Sequence, residues 1–112
     1  MGSSPVQQVR WVDRAAVVDV TGEIDLNCSS AFQEDLLAVL DKSPDRIVVN
    51  LTEVSYMDSS GVASLVKLLS RVRRHQIPLY LYGLTDRVKG VFEITRLDNV
   101  FEIHATEAEA LG

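Results

Sequence analysis

Residues 46–72 read RIVVNLTEVSYMDSSGVASLVKLLSRV, and a change of period inside this stretch decides the fold. Within Arg46–Leu51, Ile47-Val48-Val49 is an unbroken β-branched run, the pattern of a strand buried on both faces. Further on, Val62, Leu65, Val66, Leu69 and Val72 recur on one face of a 3.6-residue period, with Lys67, Arg71 and Arg74 outside it. A buried strand that hands over to an amphipathic helix is half of a β-α-β unit. Such units imply a parallel sheet with right-handed crossovers. Asp58-Ser59-Ser60-Gly61 marks the handover.

Downstream, Ile77-Pro78 stops the helix and Leu79–Tyr82 is the next strand. Thr85 or Asp86 can cap a third helix, with Val88, Val91, Phe92 and Ile94 as its inward stripe. Val100–Ile103 reads as a last short strand, and Thr106–Leu111 as a terminal helical turn or two. Upstream, a helix covers roughly Asn27–Lys42, with Phe32, Leu36, Val39 and Leu40 at helical spacing. Asn27 can cap it, or Ser30 with Gln33 can form a capping box one turn later. Before it, Val6–Val12 and Ala15–Val20 form a hairpin around Asp13-Arg14, closed by Thr21-Gly22 and followed by a short extended piece, Glu23-Ile24-Asp25-Leu26. The order is β-β-α-β-α-β-α-β-α. It predicts one α/β domain over residues 6–110, with a mostly parallel sheet, an antiparallel N-terminal hairpin and helices packed on the sheet. Residues 1–5 are expected to be a disordered N-terminus.

Composition agrees with one domain. A chain of 112 residues lies inside the usual domain range. Val, Ile and Leu supply 34 of them, well above the roughly 20% below which disorder is expected. Uninterrupted apolar runs reach about four residues, against the ~18 needed to cross a bilayer, and no signal-peptide pattern opens the chain. A soluble cytoplasmic protein without membrane insertion is the expectation. One cysteine, Cys28, excludes an intrachain disulfide and any cysteine-built zinc site. The net charge of −5 is unevenly placed: residues 1–45 carry three bases and eight acids, residues 46–112 eight of each. That balance opposes nucleic-acid binding, which needs a basic footprint. Arg71, Arg73, Arg74 and His75 do cluster, but at a helix end, where they complement the dipole.

Chemistry concentrates at Asp58-Ser59-Ser60-Gly61. A helix start presents free N–H groups and partial positive charge, which suits an anion. The competing explanation is simple capping, since Asp and Ser are favoured N-caps and Gly relaxes the turn. Ser59 is a poor candidate nucleophile. A nucleophile elbow wants Gly two residues before the serine, and Met57 stands there. His75 lies about 24 Å away along the helix, and only His104 remains geometrically open as a base. No Walker loop, dinucleotide fingerprint or metal-ligand spacing occurs, so neither cofactor nor metal is expected. Cys28 reads as a small hydrophobe or helix-start residue. Trp11, Tyr56, Tyr80 and Tyr82 read as core or sheet-face aromatics.

In combination, Thr21-Gly22-Glu23-Ile24-Asp25, Ile47–Leu51, Tyr56-Met57-Asp58-Ser59-Ser60-Gly61-Val62 and Val88-Lys89-Gly90-Val91-Phe92-Glu93-Ile94 resemble the STAS family of anti-sigma factor antagonists. The resemblance extends through Leu97 and Val100-Phe101 and covers about residues 6–110. It implies a non-enzymatic switch. The unphosphorylated form would bind an anti-sigma factor that is also a serine kinase, and so release a sigma factor. That kinase would phosphorylate Ser59, and a PP2C-type phosphatase would reverse the step. By the same match Asp25 is an acidic residue of the docking surface and Asp58 orients the phospho-acceptor. Glu23, Ser60 and Gly61 complete the expected partner-binding set. The chain departs from many antagonists in carrying Gly61-Val62-Ala63 where they have Gly-Leu-Gly, which bears on which partner is recognised. STAS domains of this size also serve as cytoplasmic subunits of ABC-type lipid-transport complexes, docked on a permease and ATPase. In that role Ser59 and Ser60 would be interface residues without phosphotransfer.

Overall fold

The computed structural model describes residues 4–112. Five strands form one sheet in the order of the chain: β1 (Val6–Val12), β2 (Ala15–Ile24), β3 (Arg46–Met57), β4 (Leu79–Tyr82) and β5 (Glu102–His104). β1 and β2 are antiparallel, and every later pair is parallel. Each parallel crossover carries a helix: α1 (Ser29–Leu40), α2 (Ser59–Arg74) and α3 (Asp86–Ile94). Strand order equals chain order, so right-handed crossovers place all three on one face. A short α4 (Glu107–Leu111) lies against the other.

Strand alternation builds two cores of unequal size. Ala16, Val18 and Val20 of β2, Ile47, Val49 and Leu51 of β3, and Leu79 and Leu81 of β4 face the helices. There they meet Phe32, Leu36, Leu65, Leu68, Val88 and Phe92. Val17, Val48 and Tyr82 point the opposite way and meet Ala110 of α4. That second face also holds a polar clasp. Asp19 is buried and accepts from Arg10 at 2.7 and 2.9 Å, from Gln8 at 2.8 Å and from Asn50 at 2.8 Å. Arg10 in turn reaches Glu107, whose carboxylate also accepts from the Tyr82 hydroxyl at 2.9 Å. Arg10 holds the Asp19 carboxyl down at about 2, whereas burial pushes Tyr82 up to about 12. The clasp ties α4 to β1, β2 and β4.

The element order agrees with expectation, and the differences have local causes. β2 and β3 run on to Ile24 and Met57, because they keep pairing with each other beyond the end of β4, through two register irregularities. Val66 is not inward. The buried stripe of α2 is Val62, Leu65, Leu68, Leu69 and Val72, and Val66 falls off its edge. Ile94 ends α3 and is 83% exposed. The last strand starts at Glu102, since Leu97–Asn99 forms a 3-10 turn. Of the aromatics, Trp11 and Tyr56 are exposed, Tyr80 half-buried and Tyr82 buried. Of the N-terminal segment expected to be disordered, residues 1–3 lie outside the described residues. Pro5 is buried, and its carbonyl accepts the Thr21 N–H at 2.9 Å.

Candidate functional site

Parallel pairing brings two loops together at the carboxyl ends of β2 and β3. Glu23 pairs with Tyr56 and Ile24 with Met57, and the Asp58 N–H donates to the Ile24 carbonyl at 3.1 Å. The turn after Ile24 and the start of α2 therefore emerge side by side. Ligand and partner sites of open α/β sheets gather at this end. Glu23 and Asp25 share it with Ser59, as the chain order implies.

Asp58 caps α2 from an extended backbone (φ −100°). Its Oδ1 accepts from the Ser60 N–H at 2.9 Å, the Ser60 hydroxyl at 2.5 Å and the Gly61 N–H at 3.4 Å. The Ser60 hydroxyl, more than any other group, holds this carboxyl below its usual range, against partial burial. The N–H groups of Ser60 and Gly61 help, and that of Leu26 adds the weakest contribution. Val62 N–H goes to the Asp58 carbonyl at 3.2 Å. The cap thus occupies the N–H groups of Ser60, Gly61 and Val62. Of the two readings of this helix start, capping is the one the side chains take: the Asp58 carboxylate fills the place an anion would have on the Ser60 and Gly61 N–H groups. Ser59, at the first position of α2, is exposed, and no group among the described residues engages its hydroxyl.

Gly61 is buried and serves close approach. A Cβ there would lie 2.7 Å from Met57 Cγ and 2.8 Å from Ile24 Cγ2, so only glycine lets α2 start this near the strands. One turn on, the buried Ser64 hydroxyl lies 3.2 Å from the Ser29 carbonyl and 3.1 Å from that of Ser60, locking the starts of α1 and α2 together.

Residues 25–28 form a tight turn between β2 and α1. Asp25 is half-buried; its Oδ1 accepts from Asn27 N–H at 3.0 Å, and its carbonyl from the N–H groups of Cys28 at 3.1 Å and Ser29 at 3.0 Å. Cys28 occupies the N-cap of α1 without a side-chain cap bond, and its thiol donates to the Glu23 carbonyl at 3.4 Å. Neither Asn27 nor a Ser30–Gln33 box caps this helix, because the Asp25 carbonyl already receives the N–H groups at its start. Thr85 holds the N-cap position of α3 but turns its hydroxyl to the Val54 carbonyl at 3.0 Å.

The two histidines lie elsewhere. His75 is the C-cap of α2, and His104 on β5 packs edge-on against Tyr80, 5.4 Å between ring centroids. Among the described residues no group of three or more His, Cys, Asp or Glu is placed to hold a metal, and no helix is long and apolar enough to cross a membrane. Two features escaped the sequence reading. Leu26 projects into solvent beside Asp58, 77% exposed, inside a turn whose apolar pattern suggested nothing unusual. Asp19 had a signal, a lone acid within the apolar run Ala15–Val20.

Known proteins resolve what this arrangement belongs to. The STAS domain pattern matches residues 7–110. The chain belongs to the STAS domain family. An anti-sigma-B factor antagonist of Listeria monocytogenes is 40% identical over 93 residues, which span 83% of this chain and 82% of that protein. An anti-sigma factor antagonist from Mycobacterium paratuberculosis superposes with a TM-score of 0.87 at 26% identity, covering 93% of this chain and 88% of the other. The Bacillus antagonist SpoIIAA, at 24% identity, shares the STAS fold in both its unphosphorylated form (TM-score 0.79, covering 93% and 91%) and its phosphorylated form (TM-score 0.71, covering 93% and 95%).

Proposed function

We propose that this STAS domain is an anti-sigma factor antagonist, a non-enzymatic partner switch of the cytoplasm governed by phosphate on Ser59. Unphosphorylated, it captures an anti-sigma factor and so frees a sigma factor. The captured protein is also a serine kinase. It transfers the γ-phosphoryl group of ATP to Ser59 Oγ, the hydroxyl proton leaves to a kinase base, and ADP departs. A PP2C-type phosphatase hydrolyses the ester with water and restores the hydroxyl. Glu23 and Asp25 border the docking surface, Asp58 and Ser60 hold the helix start in place, and Gly61 lets that start sit close to the strands.

One observation carries this reading. Of the two adjacent serines, Ser60 is bonded to Asp58, while Ser59 is exposed and unengaged beside an acidic turn. The names of the Listeria and Bacillus relatives, and the two phosphorylation states of SpoIIAA, support the same role. Incubation with the cognate anti-sigma factor and ATP, followed by mass-spectrometric mapping, tests it. Phosphate on Ser59 is expected. Phosphate on Ser60 alone, or none with a kinase shown to bind, overturns the assignment.

A further inference from the structure

Resting on the proposed function, we infer that Leu26 is the apolar anchor of the partner interface, a specificity-determining residue that inserts into an apolar pocket of the anti-sigma factor.

An isolated exposed leucine needs no explanation, because much of any protein surface is apolar. The way this one is held is what singles it out. Its carbonyl lies 3.5 Å from the Ser29 hydroxyl. On either side the turn is closed by the Asp25 bonds to Asn27, Cys28 and Ser29. The backbone under Leu26 is therefore fixed while its side chain is 77% exposed. Such a residue loses little conformational freedom on binding, so most of the apolar area it buries counts toward affinity. Anchors of this kind sit near the centre of an interface, ringed by polar groups.

Position supplies the second argument. Asp58, whose carboxylate caps the Ser59 helix, donates its N–H to the Ile24 carbonyl at 3.1 Å, two residues before Leu26. The switch serine and the leucine thus stand on one rigid unit, and a partner covering Ser59 meets Leu26 as well. Glu23 and Asp25 precede the leucine, so the fitting pocket is apolar with a cationic rim. Tyr56 reaches the same end of the sheet, paired with Glu23, but is only 37% exposed. Ile94 is barer than Leu26 but closes α3, at the helix end away from the Thr85 contact with Val54.

Titration calorimetry with the purified anti-sigma factor tests the inference on the full chain. Leu26→Ala is expected to bind at least tenfold more weakly than wild type and Leu26→Asp at least a hundredfold. Ile94→Ala is expected to bind as wild type, and all three to unfold at the wild-type temperature. Leu26→Ala binding with wild-type affinity, while Ser59→Asp does not, sinks the anchor and leaves the proposed function standing. Equal losses from Leu26→Ala and Ile94→Ala also overturn it, since they would mean that the leucine has no special place. A wild-type chain that fails to bind the anti-sigma factor overturns both readings.

Discussion

The Asp58 carboxylate lies 2.5 Å from the Ser60 hydroxyl, and this contact divides the labour between two adjacent serines. Ser60 stabilises the helix start, while the Ser59 hydroxyl stays unengaged. Ser60→Ala removes a charge-assisted bond at a partly exposed site, where such bonds contribute about 1 kcal/mol. Urea unfolding should show that loss, and kinase labelling should still find Ser59. The Asp58 carboxyl should also climb toward its ordinary range, because Ser60 is the largest of the groups holding it down. An NMR titration of Asp58 reads that shift.

The clasp on the opposite face makes stability depend on acid. Asp19 is held at about 2, chiefly by Arg10, against an ordinary value of 3.8. A lowered carboxyl stabilises the fold above the unfolded value, and the contribution fades as pH falls from about 4 through about 2. A shift of that size corresponds to about 2 kcal/mol. Glu107 is also lowered, first by its bond to Arg10, and acts in the same direction. Urea unfolding of wild type and Asp19→Asn should differ most near neutrality and converge toward pH 2. A difference independent of pH would show that the Asp19 charge contributes nothing.

Much of this was legible in the sequence, because period carries fold. The strand–helix alternation gave element order and sheet direction, and Asp58-Ser59-Ser60-Gly61 marked the site. Period could not show long-range pairing. Thr52, Glu53 and Ser55 look like loop residues, yet β3 continues through them because β2 lies alongside. Capping was read by side-chain type at α1, where a backbone carbonyl, that of Asp25, does the work. At α2 the sequence offered both a cap and an anion site, and only the direction of the Asp58 carboxylate decides for the cap. Leu26 fits an apolar count equally well buried or bare, and only the turn around it decides.

Gly61→Ala weighs two opposing effects. Alanine favours a helix over glycine by about 1 kcal/mol. Against that, its Cβ would sit 2.7 Å from Met57 and 2.8 Å from Ile24, both buried side chains. Overpacking of this kind costs about 1–3 kcal/mol. The clash should win, leaving the variant up to about 2 kcal/mol less stable by urea unfolding. Partner binding should fall as well, since relief of the contact moves the helix start that carries Ser59.

Phosphate on Ser59 would switch binding without refolding this domain. It adds about −1.5 to −2 charges at pH 7. The N–H groups that would normally receive an anion there are occupied by Asp58, so the dianion stays in water beside an existing negative charge. The helix dipole offsets part of the repulsion, by about 0.3–1 kcal/mol at an exposed site. A partner that covers Ser59 must instead strip water from the dianion and bring it near Glu23, Asp25 and Asp58. Desolvating a charge costs several kcal/mol, and about 2.7 kcal/mol is already a hundredfold in affinity. Desolvation and repulsion therefore outweigh the dipole. Ser59→Asp, with one charge, should weaken anti-sigma factor binding at least tenfold, while Ser59→Ala binds and cannot be switched off. Both should unfold within about 1–2 kcal/mol of wild type, the range of an altered helix start. Calorimetry decides: equal affinities for the two folded variants would remove the switch and favour a transport-complex subunit.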